Sequence, residues 1–251
     1  MFVEAKKHSL ERIAATPVVV QPFAHMVVEN IFPDAFYAEL RRRLLPTQAY
    51  RQLASTGRVS KSYNPARHVL MSDDLDQVVG DPEARDFWKS LFATYCDDAF
   101  TNLWLKCFEP QIIERMRSGD VPFPRTDSPV NLRREMILMR DGAGYELPPH
   151  TDSPSKVVSV LFYLPEDDTH PETGTALYQP KAAHFSHPGG PYLDWDDFDR
   201  VKTLPFQRNT LVAFPKTSTC FHGVEPVKDP DLRRDILLFD IRFALDTPAR
   251  A

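Results

Sequence analysis

The residues able to do chemistry are few, and they fall in one half of the chain. One His-x-Asp occurs, His150-Thr151-Asp152, immediately after Pro148-Pro149. On a strand, residues i and i+2 point to the same face. An imidazole and a carboxylate so placed can share one metal ion, and a third donor would complete the set. His222 offers one, 70 residues beyond Asp152, in Cys220-Phe-His-Gly-Val-Glu-Pro226 at the start of another predicted strand. Two imidazoles and one carboxylate on one face of an octahedron leave three positions open, an arrangement suited to Fe(II) binding a cosubstrate and dioxygen. A hydrolytic zinc site keeps a single open position of a tetrahedron instead. A second pair, His170-Pro-Glu172, sits in the acidic turn Glu166-Asp-Asp-Thr-His-Pro-Glu172 and reads as surface.

After His222 the chain turns at Pro226 and again at Asp229-Pro230, then re-enters a strand at Arg233-Arg-Asp-Ile-Leu-Leu-Phe239. A hairpin of that length returns a cation to the neighbourhood of the metal. The guanidinium fork suits the far carboxylate of a dicarboxylate bound there. Arg233 is favoured because it aligns with the downstream Ile236 and Phe239, and Asp235, two residues on, then also points inward. Arg234 is adjacent, and a one-residue slip in register exchanges which arginine faces in.

Met139-Arg-Asp-Gly-Ala-Gly-Tyr-Glu-Leu-Pro-Pro-His150-Thr-Asp152 resembles the approach to the metal in 2-oxoglutarate/Fe(II)-dependent dioxygenases of the prolyl-hydroxylase type. So do Val157 to Pro165, Gly174-Thr-Ala-Leu177, the His-Gly-Val-Glu-Pro-Val segment from His222, and the Arg-x-x-Ile pattern from Arg233. Gln21 to Pro33 is similar to the family's N-terminal strand-then-helix entry. The resemblance is specific over about residues 131–243, loose over 18–46, and absent from 51–125. It implies a mainly β, α+β fold with flanking helices around a double-stranded β-helix (jelly-roll, cupin-like) core. It implies Fe(II), 2-oxoglutarate and O2 as cofactor and cosubstrates, with His150, Asp152 and His222 as metal ligands. Arg233 matches the family's basic residue for the distal carboxylate of 2-oxoglutarate, and Tyr163 matches a tyrosine that hydrogen-bonds the same group. Arg140 stands where prolyl hydroxylases place an aromatic. It is a candidate for binding an acidic substrate or for an ion pair with Asp141 or Glu135. Family members that halogenate lack the carboxylate ligand, so Asp152 implies hydroxylation, with desaturation and ring closure sharing the same site.

The elements that must position these residues follow from periodicity. After Pro129, six segments are short, β-branched or aromatic, and bounded by Pro, Gly or Asp: 132–140, 157–164, 175–178, 210–214, 220–224 and 236–243. So many short strands indicate a sandwich or jelly roll. Before them, Ala35 to Leu45, the stretch from Pro82 through Phe87, Leu91, Tyr95 and Phe100, and Pro110 to Arg117 carry helical stripes expected to pack outside a sheet. Val18–Val20 and His25–Val28 read as short strands, and Arg51 to Val79 as irregular. The expected organisation is a single domain over 1–251. Its helix-rich part spans about 1–128 and its jelly-roll core about 129–245, with a lid-like insertion at about 181–208. Tyr145, Phe239 and Trp195 are candidate pocket residues, as are His184, Phe185 and Tyr192 from the insertion.

Composition narrows the function further. The 251 residues carry 30 Lys+Arg against 35 Asp+Glu, a net charge of −5, which disfavours a nucleic-acid surface. No apolar run long enough for a membrane span occurs, and the N-terminus lacks the apolar stretch of a signal peptide. Three widely spaced cysteines without a CxxC point to a reducing, cytoplasmic setting. The leading expectation is hydroxylation of an unactivated C–H bond of a small molecule (an amino acid or secondary metabolite), with release of succinate and CO2. The alternatives are a protein or peptide (prolyl-type) hydroxylase, which needs an open groove, and a non-catalytic jelly-roll binding protein.

Overall fold

The computed structural model describes residues 1–119, 131–190 and 192–244. The expected boundary near residue 128 lies outside them. In chain order the elements are α1 (Phe2–Ala15), β1 (Met26–Glu29), α2 (Asp34–Arg42), β2 (Arg51–Gln52), β3 (Arg67–Met71), α3 (Leu75–Val78), α4 (Pro82–Tyr95), α5 (Asp98–Cys107) and α6 (Glu109–Ser118). The strands β4 (Leu132–Asp141), β5 (Leu147–His150), β6 (Lys156–Tyr163), β7 (Thr175–Pro180), β8 (Phe198–Leu204), β9 (Thr210–Pro215), β10 (His222–Val224) and β11 (Arg234–Phe243) follow.

The strands form two antiparallel sheets. The larger has the order β1-β9-β6-β11-β4-β3-β2 and the smaller β5-β10-β7-β8. A jelly-roll core results, with helices on one side. The central strands are long and apolar because both of their faces are covered. On β11, Leu237, Phe239 and Ile241 pack toward the helices, while Ile236 and Leu238 pack toward the smaller sheet. The helical layer joins through Phe32, Phe36, Trp88, Tyr95, Phe100 and Trp104. Phe162 of β6 lies 5.3 Å from Phe32 and 5.9 Å from Tyr95, ring centre to ring centre. Pro82 opens α4, with Asp81 accepting from the Glu83 N–H at 3.1 Å, and Asp97 caps α5 by accepting from Phe100 at 3.0 Å.

Three features depart from the sequence expectations. Residues 51–79 supply β2 and β3, which extend the larger sheet beyond β4. The segment 181–208 is not one insertion, because Phe198–Leu204 pairs with β7 as the edge strand β8. Its charged, exposed residues concealed it: a solvated edge has little apolar alternation to read. Phe2–Ala15 is a helix, lying against α4 and α5.

Candidate active site

His150 ends β5 and His222 begins β10, and the two residues are direct cross-strand partners. Asp152 follows two residues after β5. One ligand atom from each of the three lies within 4.8 Å of the others. Gly223 makes this approach feasible, since a Cβ there would come within 2.3 Å of the Leu147 carbonyl oxygen.

Each donor is held by a second contact. His150 Nδ1 lies 3.0 Å from the Pro148 carbonyl oxygen, and His222 Nδ1 lies 2.9 Å from that of Cys220. A carbonyl only accepts, so each Nδ1 carries the proton and each Nε2 keeps its lone pair for a metal. Burial, reinforced by His222, pushes the His150 pKa down to about 3, and burial also lowers that of His222. Both imidazoles are therefore neutral at physiological pH. Ser159 Oγ donates to Asp152 Oδ2 at 2.7 Å, and Lys156 Nζ donates to Asp152 Oδ1 at 3.0 Å. Burial opposes the Asp152 charge, but Lys156 and the two imidazoles outweigh it and hold the carboxyl well below its ordinary range.

A cavity of about 460 Å³ opens onto these three residues between the sheets. At one end Arg67 of β3 and Arg234 of β11 share the buried carboxylate of Asp141. Arg67 Nε and Nη2 lie 2.6 and 2.8 Å from it, and Arg234 Nη1 also bonds it. Two guanidinium groups on one carboxylate leave one positive charge over, and Arg234 Nε is buried without a partner. The donor set thus fits a divalent metal with a free anionic ligand beside it. Residues 187–190 and 192–193 pass beside the cavity, with Gly190 and Tyr192 in its wall. Thr151 Oγ1 donates to the His187 carbonyl at 2.9 Å, and Leu193 N–H donates to Pro149 at 3.0 Å. Gly189, at φ +113°, packs so closely that a Cβ would fall 2.3 Å from the Asp152 carbonyl oxygen. Tyr192 places its ring 5.4 Å from His150.

Residues 136–239, the span holding all three candidate ligands and Arg234, match the 2OG-Fe(II) oxygenase superfamily. The site-bearing part of this chain resembles a 2OG-Fe(II) oxygenase. Solved structures share its fold. The non-heme alpha ketoglutarate dependent epimerase SnoN from nogalamycin biosynthesis aligns over 95% of this chain and 83% of its own, at 12% identity and TM-score 0.52. A prolyl 4-hydroxylase from Phytophthora capsici aligns over 99% and 68%, at 17% identity and TM-score 0.50. A prolyl hydroxylase from Trichoplax adhaerens, in complex with a hypoxia inducible factor peptide fragment, aligns over 94% and 88%, at 12% identity and TM-score 0.49. No curated protein sequence matches the chain. The matched superfamily is named for 2-oxoglutarate and Fe(II), and the cluster of His150, Asp152 and His222 fits such an ion. Among the described residues no helix is long and apolar enough to cross a membrane.

Several sequence expectations about the site require correction. Arg233 is exposed and lines a separate surface groove with Arg41, Glu166 and His170, whereas the adjacent Arg234 is fully buried and lines the cavity. The register of β11 puts Arg234, Ile236, Leu238, Asp240 and Arg242 on the cavity face. Asp235 accordingly faces the helices, not the cavity. Arg140 is there too and pairs with Asp235 at 2.7 Å, not with Asp141 or Glu135, while also donating to Leu45 O and Thr47 Oγ1 at 3.0 Å. It is a structural ion pair with no access to a substrate. Phe239 packs against Phe100 at 5.2 Å in the helical layer. Trp195 and Phe185 lie on the outer face of the smaller sheet, against Tyr178 and Phe221 respectively, and His184 is exposed. Tyr145 is buried behind the wall, under the Arg67 guanidinium at 4.3 Å, its hydroxyl 3.1 Å from that of Tyr63. Tyr163 shares the inward face of β6, but its hydroxyl bonds Thr175 Oγ1 at 2.6 Å, and Thr175 is the residue that reaches the cavity. Arg67, Lys156, Ser159 and Asp240 escaped sequence reasoning, because they meet across strands and share no spacing along the chain.

Proposed function

We propose that His150, Asp152 and His222 hold Fe(II) and that Arg234, backed by Arg67, holds the distal carboxylate of 2-oxoglutarate. In this reading the enzyme hydroxylates an unactivated C–H bond of a small molecule, releasing succinate and CO2. The bound metal and cosubstrate supply the oxidising power; the protein supplies positions, charge balance and exclusion of water. Lys156 and Ser159 fix both carboxylate oxygens of Asp152, so the side chain cannot swing away from the imidazoles. The surplus positive charge beside Asp141 is what a dicarboxylate would neutralise. A small substrate, rather than a peptide, is supported by one observation above all: the cavity lies between the sheets, with His187 and Leu193 pinned beside it at Thr151 and Pro149 and with Gly190 and Tyr192 in its wall. A peptide hydroxylase needs a groove through which a chain can pass.

The test begins with anaerobic protein titrated with Fe(II) and then 2-oxoglutarate, following the visible metal-to-ligand charge-transfer band. The band is expected in the wild type, to be lost in Asp152→Ala, and to require at least tenfold more 2-oxoglutarate in Arg234→Ala. Arg233→Ala is expected to behave as wild type. Succinate formation is then compared with small molecules and with proline-containing peptides. Stimulation by peptides alone would reject the small-substrate reading.

A further inference from the structure

We propose that the substrate of this site is ring-bearing and carries no cationic group, and so is not an amino acid; the proposal rests on the oxygenase reading above. The charges that line the cavity are Arg58, Arg67, Lys156, Arg234, Arg242, Asp152 and Asp240. Almost all are already matched inside the protein. Arg58 makes a two-pronged contact with Glu135, both N···O distances 2.5 Å. Arg242 Nη2 donates to Asp240 Oδ2 at 2.9 Å. Lys156 directs its three donors to Asp152 Oδ1 at 3.0 Å, Ser159 at 3.1 Å and Asp240 Oδ1 at 3.2 Å. One carboxylate of the cosubstrate answers the positive charge shared by Arg67 and Arg234 over Asp141, but Arg242 Nε is buried without a hydrogen-bond partner and, with Asp152 given to the metal, the cavity keeps a positive surplus. An amino acid would bring an ammonium into this positive cavity, whose two lining acids, Asp152 and Asp240, are already held by Lys156 and Arg242, and an unpaired buried charge is strongly disfavoured.

The rest of the wall has a different character. Leu53, Val59, Tyr63, Leu147, Tyr192 and Val224 form an apolar and aromatic patch on the mouth side of the cavity. The rings of Tyr63 and Tyr192 lie 6.1 Å apart and are tilted by 59°, with Tyr192 edge-on to His150. Aromatic walls of this kind favour the faces and edges of a planar ring. The same patch would hold the ring beside the three candidate ligands.

The test uses three probes of one shape and different charge: 2-naphthol, 2-naphthoate and 2-naphthylmethylammonium. Each is titrated anaerobically into protein already loaded with Fe(II) and 2-oxoglutarate, and binding is read from the perturbed charge-transfer band and by calorimetry. 2-Naphthol and 2-naphthoate are each expected to bind at least tenfold more tightly than the ammonium probe. In Val59→Asp the affinity for 2-naphthol is expected to fall at least tenfold and the preference to move to the ammonium probe, with the starting band intact. Equal or tighter binding of the ammonium probe to the wild type overturns the proposal, as does failure of all three probes to bind protein that shows the band. Absence of the starting band would instead count against the oxygenase site itself.

Discussion

Asp141 illustrates how much of the site depends on a residue that would not touch the metal. Its carboxylate holds two buried guanidinium groups together, and removing the charge leaves them facing each other unpaired. Asp141→Asn is expected to lower stability by about 3–5 kcal/mol, the usual consequence of breaking a buried ion pair from one side. Because 2-oxoglutarate would bring a replacement carboxylate, the thermal shift it produces is expected to be larger in this variant than in the wild type. Differential scanning fluorimetry with and without the cosubstrate checks both. Lys216 offers a second residue-scale prediction. It is buried, donates to Thr151 Oγ1 at 2.7 Å, and burial pushes its pKa down to about 8. Between that value and about 10.5 the unfolded chain binds the proton that the folded chain has lost, so stability rises with pH across this window. Denaturant titrations from pH 7 to 10.5 should show that rise in the wild type and a flatter profile in Lys216→Met.

At the scale of elements, the candidate iron site depends on how closely β5 and β10 approach. Gly223→Ala puts a methyl group against the Leu147 carbonyl and should separate His150 from His222, lowering Fe(II) affinity by about 10–100-fold, as loss of a supporting contact at a metal site does. Gly80→Ala meets nothing within 4 Å and serves as the control, with stability within about 0.5 kcal/mol of wild type and unchanged iron binding by titration. The same strands show what the sequence could and could not express. His150 and Asp152 were readable because i and i+2 is a local rule of strands, and His222 because it opens a second strand. The inward arginine was not. From Arg234 to Ile241 both faces of β11 are buried, so no polar–apolar alternation marks the register and the Arg233-Arg234 pair reads equally well either way. Arg140 and Phe239 failed for the same reason: their residue types suit a pocket, but the phase of β4 and β11 turns them toward the helices.

Across the whole molecule, the helices cover one face of the larger sheet, and the candidate site lies on its other face, opposite the smaller sheet that carries His150 and His222. The helical stripes read at 35–45, from Pro82 and at 110–117 meet α2, α4, α5 and α6. Periodicity did not reveal β2 and β3, which are too short to show a strand period and are defined by the pairing of β2 with β3 and of β3 with β4. The aromatic layer that joins the helices to the sheet centres on Phe162. Phe162→Ala is expected to cost about 3–5 kcal/mol, and the Fe(II)–2-oxoglutarate band should persist in the fraction that remains folded, since this side chain points away from the cavity. Chemical denaturation followed by circular dichroism, alongside the anaerobic titration, separates the two effects.

The placement of the apolar patch has a consequence for how such an enzyme diversifies. The candidate ligands and arginines are held by strands, whereas Leu53, Val59, Tyr63 and Tyr192 come from connecting segments on either side of the cavity mouth. Substitutions there can exchange one guest for another without disturbing the strand pairings that the oxidation requires. Selectivity and reactivity are thereby inherited on separate stretches of chain, and a library confined to 53–63 and 192–193 would explore the first while conserving the second.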